Sequence, residues 1–475
     1  MDSDSQYRIT CIFADADLRQ TSAGRTLIGG SPLRLLRLTE AGARSVAGWI
    51  AGETVAPTAG AQGLARRLIT NGMFHPVIVP RPSSSASVTL VIPAYNNPAL
   101  VDAALSALAV ATVIVVDDAS VPAEAERLAE VARTHGAQLI RRSTNGGPAA
   151  ARNDGWRAAT TDLVAFVDAD VAVTESWLDE LISHFDDPGV AAVAPRVHSD
   201  AGASNTRLDR YEHYRSALDM GPRAGRVAPR TRIPYVPSAA LVVRRQTLIE
   251  VDGFVEGMRV GEDVDLIWRL GRAGYETRYE PASIVRHKNR DSWLELARQR
   301  RAYGTAAADL ERRHPSMVTP VEINIWSLVS WALIVGGGPA GAAIGVATAA
   351  STAAALVPKL RDRVDDPAAE AARLGGLGHL HAGRWLGAAV TRTWLPGFVV
   401  ASLLSKRFRR TTAAAIGVPS LLEWRKERTD IDPVRWIAFR LLDDASYCAG
   451  VWQGAAEHRS ARVLKPTFTH IKGLP

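Results

Sequence analysis

Cysteine is almost missing: in 475 residues only Cys11 and Cys448 occur, far apart and outside any metal-type cluster. That scarcity excludes a disulfide framework and a structural zinc site and favours a reducing, cytosolic setting. Also missing is any Lys/Arg run interleaved with aromatics. The formal net charge of +7 therefore points away from nucleic acid and toward an anionic substrate or an anionic lipid surface. Met1 to Gln6 are polar and acidic and lack a basic stretch followed by an apolar core, which argues against a secretory signal. Core material is abundant, with 47% hydrophobic against 22% charged residues, so the composition is globular. The length predicts two or three domains. Thirty-eight glycines and a mean hydropathy of -0.02 make membrane contact worth testing.

Residues 1–80 read as one small domain. Tyr7 to Ala14 has strand character, and Arg25 to Leu38 is a second strand region broken at Gly29-Gly30-Ser31-Pro32. Thr39 predicts a capped helix through Ile50, with Ala43, Val46 and Ile50 at helical spacing, and a second helix runs from Gly60 to Thr70 until Asn71-Gly72 stops it. On Leu33-Arg34-Leu35-Leu36-Arg37-Leu38-Thr39 and Ala65-Arg66-Arg67-Leu68 this unit resembles the peptide-binding winged-helix domains that accompany enzymes modifying ribosomally made peptides. A structural cap on the next domain is the other reading. Residues 81–87 continue a Pro/Ser-rich stretch without apolar periodicity and are expected to be a linker.

From Val88 the period changes to alternating strands and helices. Val88 to Ile92 is a short apolar strand stopped by Pro93, Asn97-Pro98 opens a helix carrying Leu100, Ala103, Ala104 and Leu108, and Thr112 to Val116 is a second buried strand ending in Asp117-Asp118. The helix Pro122 to Gly136 leads to a third strand, Gln138 to Arg142. This alternation predicts an α/β, doubly wound, mostly parallel sheet. The glycine turn at Asn145-Gly146-Gly147 runs into a small-residue helix with Arg152, an arrangement suited to a phosphate because helix-start N–H groups bind anions. The stretch Thr161 to Asp170 then carries an apolar run that reads as a buried parallel strand and ends in Asp168 and Asp170. Two carboxylates cannot stay inside a sheet and must emerge at its edge, where a hard divalent cation (Mg or Mn) and a diphosphate suit them. Past an expected helix from Glu175 to Phe185 and a strand from Val190 to Pro195, the arginine-rich stretch from His198 to Arg232 has the profile of a mobile loop over a substrate. Pro237 to Arg245 returns to the sheet. Gly261-Glu262-Asp263 opens another helix, with Leu266, Ile267 and Leu270 on one face.

Five motifs in order carry a family resemblance over about Val88 to Tyr303: Ile92-Pro93-Ala94-Tyr95-Asn96, Val116-Asp117-Asp118-Ala119-Ser120, Asn145 to Gly155, Asp168-Ala169-Asp170 and Gly261-Glu262-Asp263. The region resembles a family-2 glycosyltransferase of the nucleotide-diphospho-sugar (GT-A) type. The resemblance implies that Pro93, Tyr95, Asp117 and Asp118 frame the nucleotide, with Gly147, Arg152 and Asp168 also on the nucleotide sugar. It implies that Asp170 holds a divalent metal, that His287 supplies a late ligand, and that Asp263 is the catalytic base. Glu262 and Arg301 are acceptor-side candidates. Chemistry agrees: an acceptor hydroxyl needs a positioned carboxylate to take its proton, and direct displacement at the anomeric carbon implies inversion. The segment Arg298 to Tyr303 departs from the Gln/Arg/Trp segment of processive synthases in spacing and in its final aromatic. Over its whole length the chain is similar to the glycosyltransferases of the mycofactocin system. That implies glucose transfer from UDP-glucose, in β-1,4 linkage, onto a peptide-derived redox cofactor.

Residues 316–475 are expected to be helical. Ile323 to Pro358 carries no charged residue and is broken by Gly336-Gly337-Gly338-Pro339, which leaves open a spanning helix, a broken hairpin or a buried soluble pair. Thr393 to Ser405 is apolar and is followed by Lys406-Arg407-Phe408-Arg409-Arg410, a cluster suited to the anionic cytoplasmic leaflet. The expected location is the cytoplasmic side of the cell membrane, or the cytoplasm if these segments are buried. Nucleotidyl transfer, a polysaccharide or glycolipid glycosyltransferase, and a non-catalytic nucleotide-sugar or peptide-binding scaffold are the competing functions.

Overall fold

The computed structural model describes residues 7–22, 24–82, 88–107, 112–174, 176–200 and 206–469. Met1 to Gln6, Ser83 to Ser87 of the expected linker, Leu108 and Glu175 lie outside them. The chain divides into two compact units, one of residues 1–205 with 215–289 and one of residues 206–214 with 290–475.

In the first unit the N-terminal domain runs β1 (Ile12–Ala14), β2 (Arg19–Thr21), β3 (Thr26–Gly29), β4 (Arg34–Arg37), α1 (Glu40–Ile50), α2 (Ala59–Thr70) and β5 (Phe74–Pro76). Thr39 caps α1, its hydroxyl accepting from the Gly42 N–H at 3.1 Å. Thr58 does the same for α2, satisfying a helix-start donor that would otherwise lack a partner. Leu27, Val46, Leu68, Met73 and Phe74 form the buried centre. Two strands differ from the expectation. The long strand from Tyr7 shrinks to β1, whose partner is β5, and β2, β3 and β4 make a separate sheet. Strands of three residues are too short to show a period, so β2 and β5 escaped the pattern.

The remainder of this unit continues with β6 (Val88–Ala94), α3 (Pro98–Ser106), β7 (Thr112–Asp117), α4 (Pro122–Thr134), β8 (Gln138–Arg141), α5 (Pro148–Ala158), β9 (Leu163–Val167), β10 (Val171–Ala172), α6 (Asp179–Ile182) and β11 (Val190–Asp200). Helix α7 (Arg207–Arg215) falls almost wholly in the second unit. Then follow β12 (Gly225–Val227), β13 (Ala240–Arg244), α8 (Arg245–Val251), α9 (Glu262–Arg272) and β14 (Glu276–Lys288). One mixed sheet has the order β10-β14-β11-β13-β9-β6-β7-β8, with β12 on β14. The half from β9 to β8 is as expected: β6, β7, β8 and β9 pair in parallel. The half from β10 to β13 is less regular, because β13 runs antiparallel to both β9 and β11. Leu90, Ile92, Val164 and Phe166 are fully buried, each worth about 1.5–3 kcal/mol of burial.

Several boundaries are corrected. Strand β6 passes through Pro93 to Ala94, because β9 leaves the ladder at Val91, so on that flank the missing N–H costs no bond. The helix expected from Glu175 to Phe185 is a single turn, α6, tightening into a 3-10 turn over Ser183–Asp186. Strand β11 extends to Asp200, paired along β14 with a register shift at Pro195/Arg196. The basic stretch from His198 to Arg232 is no featureless loop. It holds α7 and β12, and its arginines are engaged, Arg223 with Asp17 at 2.6 Å and Arg232 with Asp15 at 3.0 Å. Helix α5 is made of small residues for a packing reason: a Cβ at Gly155 would collide with Val91 on β6.

The second unit comprises α7, α10 (Trp293–Arg313), β15 (Glu322–Asn324), α11 (Ile325–Gly336), α12 (Gly338–Ala354), α13 (Val357–Leu360), α14 (Pro367–Arg392), α15 (Leu395–Leu404), α16 (Lys406–Glu427), α17 (Pro433–Glu457) and β16 (Thr467–Thr469). Helix α10 packs along α17 through Ala307, Ala308, Val451 and Ala455. Tyr211 on α7 donates to Asp443 at 3.0 Å, and Arg300 Nε donates to the same carboxylate at 3.1 Å. Helices α11 and α12 meet at Leu333/Gly341 and Ser330/Gly345. These pairs run in opposite senses, so the uncharged stretch is a broken helical hairpin. Among the described residues one continuous helical stretch, Gly338–Leu360, is long and apolar enough to cross a membrane.

Candidate active site

The site is assembled where strands of the parallel half end. At the exit of β6, Asn96 adopts a left-handed conformation at φ 52 and interlocks with the exit of β7. Its N–H donates to Ser120 Oγ at 2.9 Å, and its Oδ1 accepts from the Val121 N–H at 2.9 Å. Asp117 is fully buried. Its Oδ1 accepts from the Ser120 N–H at 2.9 Å, while Oδ2 has no hydrogen-bond partner and lies 3.5 Å from Arg141 Nε. Pro93 lies within β6, and the Tyr95 ring is exposed.

The glycine turn behaves differently from the reading of an open phosphate cradle. The Gly146 and Gly147 N–H groups donate to Asp118 Oδ1 and Oδ2 at 2.9 and 2.7 Å, and Arg142 Nε lies 2.9 Å from Oδ1. The anion in this backbone nest is the chain's own carboxylate.

Arg152 on α5 is the hub. Its side chain is 3% exposed, and it donates through Nη2 to Asp168 Oδ1 at 2.6 Å and through Nη1 to Glu262 Oε1 at 2.8 Å. The Phe254 ring stands 5.6 Å from the guanidinium. Burial works against the charged guanidinium, but Asp168 and Glu262 outweigh it and raise its pKa. Asp168 is held by its own N–H, which donates to Ala239 O at 2.9 Å.

Helix α9 begins at Glu262, as expected. Asp263 Oδ1 accepts from the Val264 N–H at 2.8 Å and Oδ2 from the Ser238 N–H at 3.2 Å. Asp263 keeps a solvent-accessible edge, yet dense surroundings raise its pKa against the two N–H donors and Arg152. Glu262 is pushed up to about 7, first by burial and then by the adjacent Asp263, with Arg152 opposing.

Asp170, just before β10, and His287 on β14 come together. His287 Nε2 lies 3.3 Å from Asp170 Oδ2, in a ladder pairing Val171 with His287, and the Lys288 N–H donates to Asp170 O at 3.0 Å. One carboxylate and one imidazole fit part of a divalent shell whose other ligands come from substrate oxygens and water. Among the described residues no group of three or more His, Cys, Asp or Glu side chains could hold a metal alone.

Residues 89–251 match the model of the family described as Glycosyl transferase family 2. The chain is 37% identical over 468 residues to the Pre-mycofactocin glycosyltransferase of Mycobacterium tuberculosis, covering 95% of this chain and 96% of that protein. The chain belongs to glycosyl transferase family 2. This glycosyltransferase is also 28% identical over 167 residues to the Probable polypeptide N-acetylgalactosaminyltransferase 8 of Homo sapiens, 32% of this chain and 26% of that one. Among solved structures, the mannosyltransferase PcManGT from Pyrobaculum calidifontis in complex with GDP-Man and Mn2+ aligns with 75% of the chain and 90% of its own length. The identity is 20% and the TM-score 0.39.

Of the site residues expected for the glycosyltransferase, Arg152, Asp168, Glu262 and Asp263 form one cluster and Asp170 and His287 another contact. Asp117 and Asp118 anchor the strand exits. Arg301 lies in the second unit, where its Nε donates to Gln453 Oε1 at 2.8 Å. Two supporting residues were not singled out from sequence. Asn153 Oδ1 accepts from the Trp156 Nε1–H and the Phe254 N–H, both at 2.9 Å, and its Nδ2 donates to Phe254 O at 2.8 Å. Gly253 there has φ 54, and a Cβ on it would sit 2.5 Å from Asn153 Oδ1. Ser238 acts through its backbone N–H, for which a side-chain pattern holds no signal.

Proposed function

We propose that the enzyme moves glucose from UDP-glucose, with inversion, onto a peptide-derived acceptor that is a precursor of mycofactocin, building a short β-1,4 chain. The observation that carries this reading is the buried Arg152 tied at once to Asp168 and Glu262, with Asp263 beside it at the start of α9. The full-length likeness to a pre-mycofactocin glycosyltransferase supports the acceptor.

Asp263 takes the proton of the acceptor hydroxyl as its oxygen attacks the anomeric carbon, and the bond to the nucleoside diphosphate breaks on the opposite face. A carboxyl whose pKa is raised by burial is a better match to a hydroxyl proton near neutral pH than an ordinary aspartate. Arg152 fixes Asp168 toward the donor side, and Asp117 with Asp118 holds the strand exits that frame the nucleotide. Asp170 and His287 would hold a divalent cation, which supplies Lewis-acid stabilisation of the departing diphosphate. The N-terminal domain holds the peptide portion of the acceptor.

The test incubates purified protein with UDP-glucose, Mg²⁺ or Mn²⁺ and a mycofactocin precursor, and follows acceptor mass and the anomeric configuration of the product. Hexose addition with inverted configuration is expected. Full transfer by Asp263→Asn would remove the assignment of the base, and a retained configuration would remove the single displacement.

For location, one face of the second unit favours an anionic bilayer surface. Helix α15 buries no residue, Leu403 and Leu404 are 77% and 85% exposed, and Lys406, Arg407, Arg409 and Arg410 follow at once. An apolar face flanked by cations suits the interface of an anionic leaflet. Flotation with vesicles containing phosphatidylglycerol, and not with pure phosphatidylcholine, is the expected result. Absence of flotation in both ends this reading.

A further inference from the structure

One segment of chain runs from the N-terminal domain to the candidate base. Arg232 Nη2 donates to both oxygens of Asp15, each at 3.0 Å, and the Arg232 N–H donates to Ser31 Oγ at 2.5 Å. The acceptor is rigid: the Asp15 side chain is 3% exposed, and it also meets His75 Nε2 at 2.9 Å and the Asp17 N–H at 3.0 Å. Upstream, β12 is fixed to β14, and Arg226 Nη1 donates to Thr70 O at 3.2 Å. Downstream the chain has little freedom. Ile233 and Val236 are buried, Thr231 Oγ1 donates to Ile233 O at 2.8 Å, and Pro234 O accepts from the Trp268 Nε1–H at 2.9 Å. Trp268 lies on α9, the helix that carries Asp263. The same segment ends at Ser238, whose N–H reaches Asp263 Oδ2 at 3.2 Å.

We propose that Arg232 is a positioning residue for glycosyl transfer: by pinning residues 225–238 to Asp15 and Ser31, it keeps the Ser238 N–H and α9 in register around Asp263. The N-terminal domain thereby sets the geometry of the base as well as holding an acceptor. Of the other ties between this domain and the sheet, Arg66 on Asp187 and Thr70 Oγ1 on Glu276 lead to the turn before β11 and the start of β14, and Arg223 on Asp17 and Arg226 on Thr70 O hold the chain upstream of Arg232; none of them reaches α9 directly. The inference rests on the reading of Asp263 as the base. The charged groups facing that carboxyl are Arg152 from α5, Asp168 from the end of β9 and its neighbour Glu262.

The test measures kcat, KM for UDP-glucose and the pH profile of kcat/KM for the full chain, with a mycofactocin precursor as acceptor. Arg232→Ala is expected to lower kcat at least tenfold, to leave the donor KM within twofold, and to move the acid limb of the profile to higher pH. The limb moves upward because losing an N–H donor disfavours the carboxylate form of Asp263. Arg232→Lys, which keeps the charge, recovers part of kcat. An Arg232→Ala enzyme with kcat within twofold of wild type, or with an unmoved acid limb, overturns the proposal. If that variant does not fold, as judged by its melting curve, Ser31→Ala is held to the same pH criterion. Asp263→Asn is run alongside: its full activity would remove the base itself, whereas an inactive Asp263→Asn with an unaffected Arg232→Ala removes only the coupling.

Discussion

His287 Nε2 stands 3.3 Å from Asp170 Oδ2, although the two residues are separated by most of the catalytic fold. The antiparallel pairing of β10 with β14 brings them together, and neither has a nearby third ligand among the described residues. Such an incomplete set binds a cation well only when the donor diphosphate completes it. His287→Ala is therefore expected to raise the Mn²⁺ concentration for half-maximal transfer by at least about tenfold, equivalent to about 1.4 kcal/mol. EDTA is expected to abolish transfer by the wild-type enzyme, with recovery on adding Mn²⁺. Unchanged metal titration of the variant would remove His287 from the site.

Asp263→Asn should lower kcat by about 10² to 10⁴, the range for losing a general base, while UDP-glucose affinity measured by calorimetry stays within about threefold. The amide keeps one oxygen, for the shorter bond from the Val264 N–H, and gives up the longer one from the Ser238 N–H, so a melting curve is recorded beside the kinetics to show that the fold is retained. A matching loss of donor affinity would place Asp263 on the donor instead.

Glu262 gives a stability signature. Its carboxyl is raised from 4.5 to about 7 in the folded protein, so between these values the folded state holds a proton that the unfolded state has lost. Stability contributed by this group is full below about 4.5 and falls as pH rises toward 7. Glu262→Gln cannot titrate and should flatten the dependence of Tm on pH across that window. An unaltered slope in the variant would assign the effect elsewhere.

Asn153→Ala should destabilise by about 1–3 kcal/mol, because it leaves the buried Phe254 N–H and Trp156 Nε1–H without their acceptor. Asn153→Asp, which keeps an acceptor oxygen, should cost less for those two donors. Chemical denaturation of both variants ranks them, and equal stability of Asn153→Ala and wild type would contradict the network.

The parallel half of the sheet was legible because its strands are continuous apolar runs punctuated by Pro93, Asn97-Pro98 and Gly147-Pro148. The start of α9 was legible because an acidic first turn preceded an apolar helical face; the role of Asp263 came from the family resemblance alone. The GT-A expectation and the family agree with the mixed sheet and the match over residues 89–251. What escaped depends on tertiary pairing. Nothing local in Ala240–Arg244 states that it runs antiparallel to β9. The arginines from His198 to Arg232 read as loop because their carboxylate partners, Asp15 and Asp17, are some two hundred residues away in the chain. The glycine turn was read from backbone donors, small residues and Arg152, and the Asp118 carboxylate that accepts from Gly146 and Gly147 comes from a different strand exit.

That filled turn has a consequence for turnover. Because Asp118 supplies the negative charge that Gly146 and Gly147 bind, the loop is braced without a nucleotide. On the proposed reading of this turn as part of the donor site, donor entry is expected to carry little cost of ordering it. The internal carboxylate acts as a built-in template that holds the turn in one shape.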